Sequence, residues 1–101
     1  MDEIIVVIDK LEENINKMTE YFYQNNNQNA LSLMPAILDD VMKVSITLDT
    51  KEGVVEEDKA GLVKILSEAL KAMEEGDYVL LADILQYDMI DILEKFKNMF
   101  M

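Results

Sequence analysis

The chain has 101 residues, half of them hydrophobic and 30% charged, a balance that predicts a single folded domain over residues 1–101. It contains no Cys and no His, which excludes thiol nucleophiles, disulfides, imidazole bases and the usual ligands of zinc, copper and haem. The formal net charge is −12 and every basic residue is a lysine, so nucleic acid is not an expected partner and a charge-steered partner should be basic.

The start, Met1-Asp2-Glu3, is acidic, and the apolar run Ile4 to Ile8 is too short for a signal sequence or a membrane span. No membrane association is expected, and the chain reads as cytoplasmic. Abundant Lys, Asn and Ile beside an absence of Arg suggest an AT-rich bacterial gene.

From Ile4 the residues Ile8, Leu11, Ile15, Met18 and Phe22 follow at alternating four- and three-residue steps, the signature of an amphipathic helix. Ile4 to Ile8 alone would suit a strand, but the longer repeat outweighs that local preference. Ile5 and Val6 lie off the stripe and are expected to extend an exposed patch, one that could close a homodimer. The polar run Gln24 to Asn29 ends the pattern.

A second helix is predicted from about residue 31. Met34, Ile37, Val41, Val44 and Leu48 form its stripe, Ser32 caps it, and Pro35 sits in the first turn where a missing N–H costs little. Asp49 to Gly53 makes a polar connection. A third stripe, Leu62, Leu66, Ala69 and Met73, is preceded by Glu56-Glu57-Asp58, expected as a solvated acidic first turn, and ends at Gly76.

Asp77 is placed to cap a fourth helix with the stripe Tyr78, Leu81, Leu85, Met89, Ile92, Phe96 and Met99. Four helices, short links, three Gly and one Pro predict an all-α fold, an antiparallel up-down four-helix bundle. The end, Phe96 to Met101, is apolar enough either to dock or to fray.

Catalysis lacks its parts. With His, Cys and Arg missing, the one credible scheme is carboxylates holding Mg²⁺ or Mn²⁺ for nucleotide hydrolysis. That scheme requires acids a turn apart on facing helices. Glu74 and Asp77 are separated by the Gly76 break, Asp88 and Asp91 have no partner segment, and Glu12-Glu13 is followed by Asn16 where a third acid is wanted. A calcium loop around Gly53 would begin at Leu48 and end at Lys59, neither a ligand. No cofactor, no metal and no enzymatic activity are expected.

The fourth helix instead carries a second apolar strip. Leu80, Ile84 and Tyr87 recur at steps of four and three, bordered by Asp83 and Asp91. Apolar area edged with acids is the make-up of a contact surface. The competing reading is that a central helix buries both faces as core. Tyr87 lies four residues from both Asp83 and Asp91, within reach of either carboxylate.

The run Glu75-Gly76-Asp77-Tyr78-Val79-Leu80-Leu81-Ala82-Asp83-Ile84-Leu85-Gln86-Tyr87-Asp88 resembles a segment of small uncharacterised acidic helical proteins of Firmicutes, with the pattern D-Y/W-x-L-L-A-D-x-L-x-Y-E/D. By size, acidity and helical texture the chain is also similar to export chaperones of flagellar and type III secretion systems, which cover helices of their clients. The expected function is a non-enzymatic protein–protein interaction or structural module. It would bind a basic or amphipathic helical partner, or a second copy, through Leu80, Asp83, Ile84, Tyr87 and Asp91. The alternatives are an export-chaperone-like binder and a carboxylate/Mg²⁺-dependent nucleotide hydrolase.

Overall fold

A computed structural model of the chain describes residues 3–101, so Met1 and Asp2 of the acidic start lie outside the described residues. Its regular structure is helical: α1 (Glu3–Tyr23), α2 (Asn27–Ser32), α3 (Met34–Thr50), α4 (Glu56–Glu74), α5 (Tyr78–Asp83), a π-helical segment (Ile84–Met89) and α6 (Ile90–Phe100). No strand occurs among the described residues. The fold is all-α, as the stripes predict.

The α1 stripe is core along its length, with Ile8, Leu11, Ile15 and Met18 fully buried. Burial of such side chains, each worth about 1.5–3 kcal/mol, rather than helix propensity holds the helix in place. The exposed patch expected at Ile5 and Val6 is halved. Ile5 is 7% exposed and belongs to the core, because α1 packs against both α3 and α6 and so buries more than one stripe; only Val6 faces out.

The polar run after α1 is shorter as a loop than it looks. Asn25 adopts φ 58°, Asn25 N–H donates to Phe22 O and Asn26 N–H donates to Tyr21 O, the paired bonds of a Schellman stop. The Asn26 side chain then accepts from Asn29 N–H, so a new helix, α2, begins at once. Ser32 is therefore not the cap of the second helix. Its hydroxyl donates backwards to Asn29 O at 2.6 Å, closing α2, and α3 starts after Leu33 with Pro35 in its first turn. The predicted stripe Met34, Ile37, Val41, Val44 and Leu48 is buried throughout.

Helix α4 buries Leu62 and Ala69 of its predicted stripe together with Ala72, while Leu66 and Met73 are partly buried against the same core. Gly61 lets α6 approach closely: a Cβ there would lie 3.3 Å from Ile92 Cδ1. The acidic first turn is not wholly solvated. Glu56 and Glu57 are exposed, but Asp58 is largely covered because Lys95 of α6 reaches across to its Oδ1 at 2.8 Å.

The fourth predicted helix is α5, the π segment and α6 run together. Its buried residues Leu81, Leu85, Met89 and Leu93 follow at three successive four-residue steps. In an α-helix each such step overshoots a full turn by about 40°, so three would swing the stripe off the core. The π segment takes more residues per turn and cancels the drift. The same change of phase puts Leu93 rather than Ile92 at the centre of the buried face, and Ile92 is half-buried against α4.

The C-terminal end is tied down rather than frayed. Phe96 is fully buried, Lys51 Nζ lies 4.8 Å from the Phe100 ring centroid, and Met99 is partly and Met101 largely exposed. Lys97 clamps α6 to α1 through Asp9 (2.8 Å) and Glu12 (3.0 Å) while also holding Glu94 (2.9 Å). Bonds to Asp9, Glu94 and Glu12 push the Lys97 ammonium above its usual range. Burial raises the Glu12 carboxyl despite Lys97, and the Lys97 bond lowers that of Glu94.

Candidate functional site

The start of α5 repeats the construction at the end of α1. Gly76, at φ 72°, donates to Met73 O, and Asp77 N–H donates to Ala72 O, completing a Schellman stop for α4. Asp77 Oδ1 then accepts from Leu80 N–H at 3.1 Å, the predicted cap. With its first turn fixed, α5 turns Leu81 and Ala82 inward and leaves Val79 77% and Leu80 45% exposed. Helices this apolar usually hide such residues, and here they form a ridge.

A hollow flanks the ridge on each side. Towards α1, a cleft of about 310 Å³ lies between the two junctions, with Phe22, Tyr23, Asn25 and Asn27 on one wall and Asp77, Tyr78, Val79 and Asp83 on the other. Its aromatic wall is the Phe22–Tyr78 stack, ring centroids 5.5 Å apart and planes within 12°. Tyr23 is 67% exposed and its hydroxyl donates to Gln86 Oε1 at 3.2 Å, tying α1 to the π segment. Towards α4, a second hollow of about 390 Å³ is lined by Leu80, Ile84 and Asp88 facing Glu68, Lys71 and Glu75.

The expected strip Leu80/Asp83/Ile84/Tyr87/Asp91 is divided by this geometry. Leu80, Asp83, Tyr87 and Asp91 are exposed, whereas Ile84 is only 5% exposed and packs in the core beneath Leu80. The π segment is the reason, since its slower turn draws Ile84 and Leu85 inward together. Asp83 lines the α1-side cleft, while Asp91 lines a separate groove between α4 and α6 with Lys64, Asp88 and Lys95. Tyr87 stands 59% exposed, and among the described residues it bonds neither Asp83 nor Asp91.

Sequence periodicity missed Tyr23 and Val79 as surface elements, while Phe22 of the α1 stripe is partly buried and forms a wall of the cleft. Val79 and Asp83 share a helix face four residues apart, which is legible; the approach of Tyr23 to Gln86 joins residues 63 positions apart and leaves no local signal. The charge pattern does leave one. Residues 72–94 carry seven acids and no lysine. In the α1-side cleft, stacked rings, amide groups and carboxylates with no lysine in the lining suit an apolar side chain followed by a cation. Among the described residues no three acids are grouped to hold a metal ion, and no helix is long and apolar enough to cross a membrane.

The family model of the domain of unknown function DUF8042 matches residues 1–99. The chain belongs to this family. No curated protein and no solved structure matches it. In this DUF8042 member the match takes in both helix junctions, the α5 ridge and nearly all of α6.

Proposed function

We propose that the chain is a non-enzymatic binding module that takes up a basic amphipathic helix of a partner protein on the α5 ridge and its two flanking hollows. The carrying observation is the exposed apolar trio Val79, Leu80 and Tyr87 set in a 23-residue stretch without a lysine. Leu80 and Val79 supply apolar contact, Tyr87 and Tyr23 are rigid aromatic anchors, and Asp83 with Asp88 steers positive charge into register. A partner helix laid along the ridge would place apolar side chains in the hollows at intervals of three and four residues. The export-chaperone-like reading is the same surface engaged by an exported client. We further infer that the helices alternate up and down as an antiparallel bundle and that the chain acts in the bacterial cytoplasm.

A synthetic Leu/Lys amphipathic peptide and its Leu/Glu counterpart provide the test, by calorimetry on the full chain. The basic peptide should bind, more weakly as salt is raised, and the acidic one should not. Leu80→Ala with Tyr87→Ala should weaken binding about tenfold or more, a loss typical of an anchor pair, with helicity by circular dichroism unchanged. Equal binding of both peptides, or none lost in the double variant, would remove the proposal. A melting-temperature rise on adding Mg²⁺, together with nucleotide turnover, would favour the hydrolase instead.

A further inference from the structure

We infer that the cleft between the two helix junctions is the pocket for one arginine side chain of the partner helix, its guanidinium laid on the Tyr23 ring and bonded to Asp83. The inference rests on the helix-binding reading above and specifies which cation that helix carries. At about 310 Å³ the cleft is at the lower end of the size range of ligand pockets, about 300–1,000 Å³, which gives room for one long side chain rather than for a helix. Its lining is aromatic and acidic. Phe22, Tyr23 and Tyr78 are joined by Asp77 and Asp83, Asn25 and Asn27 supply amides, and no lysine takes part.

Charge complementarity selects a cation. Elsewhere acids have lysines to answer them: Asp9, Glu12 and Glu94 surround Lys97, Asp58 meets Lys95, and Asp40 faces Lys43. Asp83 has no ion pair among the described residues, and Asp77 uses only Oδ1, to accept from the amide of Leu80. The hollow on the α4 side differs, since it holds Lys71 among Glu68, Glu75 and Asp88 and so contains a cation of its own. Shape then selects a guanidinium over an ammonium. Tyr23 is exposed, and its hydroxyl donates to Gln86 Oε1 at 3.2 Å, which holds the ring at the cleft wall as a flat face for a flat cation. A guanidinium can stack there while its edge donates two parallel bonds to a carboxylate. It is also the more weakly hydrated ion, so a cleft walled by rings strips less water from it than from the point charge of a lysine. Val79, 77% exposed at the rim, covers the methylene stem.

Amphipathic peptides that differ only in the residue on their polar face provide the test, by calorimetry on the full chain: Leu/Lys, Leu/Arg and Leu/citrulline, the last keeping the shape of arginine without its charge. Leu/Arg should bind about tenfold tighter than Leu/Lys, through the stacking contact and the second parallel bond, and Leu/citrulline more weakly than either. Asp83→Asn and Tyr23→Leu, both at exposed positions, should each reduce the preference for arginine to about twofold or less with circular dichroism unchanged. Glu75→Gln, in the other hollow, should preserve it. Equal affinity for Leu/Arg and Leu/Lys would overturn the inference and leave the helix-binding reading standing, whereas binding of none of the peptides would end both. A preference that survives Asp83→Asn combined with Tyr23→Leu would also overturn it, as would Leu/citrulline binding as tightly as Leu/Arg.

Discussion

The molecule turns two corners with one device and puts them to different ends. After α1 and again after α4, a residue at positive φ closes a Schellman stop, and the next residue caps a new helix with its side chain. At the first corner these are Asn25 and Asn26, at the second Gly76 and Asp77. The first launches α2, which is short, polar and buries only Ala30 before α3 takes over. The second launches α5, whose opening turn leaves Val79 and Leu80 in solvent. A shared backbone geometry therefore does not imply a shared role; the side chains that follow it decide.

The largest expected effect tests the divided strip on α5. Ile84→Asp should cost about 3 kcal/mol or more in urea denaturation, since it places a carboxylate among packed side chains, whereas Tyr87→Asp should stay within about 0.5 kcal/mol. Equal effects would mean that the π segment does not separate the two residues as described.

Next come the corners themselves. Gly76→Ala should cost about 1 kcal/mol, entirely as backbone strain, because a Cβ there would meet nothing within 4 Å. Asn25→Gly should change stability in the opposite direction by about 0.5 kcal/mol, relieving a strained non-glycine residue. Changes of the same sign at both would break the parallel between them.

The smallest effect concerns the clamp that holds α6 to α1. Glu94 has a lowered folded pKa, so its stabilisation is present above the ordinary carboxylate value and lost as pH falls through the lowered one. Glu12 has a raised folded pKa, so its contribution favours the fold at low pH and is lost as pH rises through that value. Lys97→Gln should therefore lower stability in urea denaturation at neutral pH by at most about 1 kcal/mol, since two of its three acids, Asp9 and Glu94, are half-exposed. The deficit should shrink as pH falls below the ordinary carboxylate range and through the lowered value of Glu94. A deficit independent of pH would assign the role of Lys97 to packing alone.

Much of this architecture was legible in the residues alone. The stripes of α1 and α3, the helical class, the stop at Gly76 and the cap at Asp77 follow from spacing and local chemistry, because hydrogen bonds within a turn and the 3.6-residue period are set by neighbours in the chain. Other features had no local cause. Whether Asp58 is solvated depends on Lys95, 37 residues away, and whether Tyr23 is placed at a site depends on Gln86. The exchange of Ile92 for Leu93 and the burial of Ile84 depend on how helix faces fit their neighbours. Sequence alone determined which faces are apolar and where helices stop. Tertiary packing decided which apolar face is covered, because burial is shared between elements and the π segment needed to share it is visible only once both surfaces are in place.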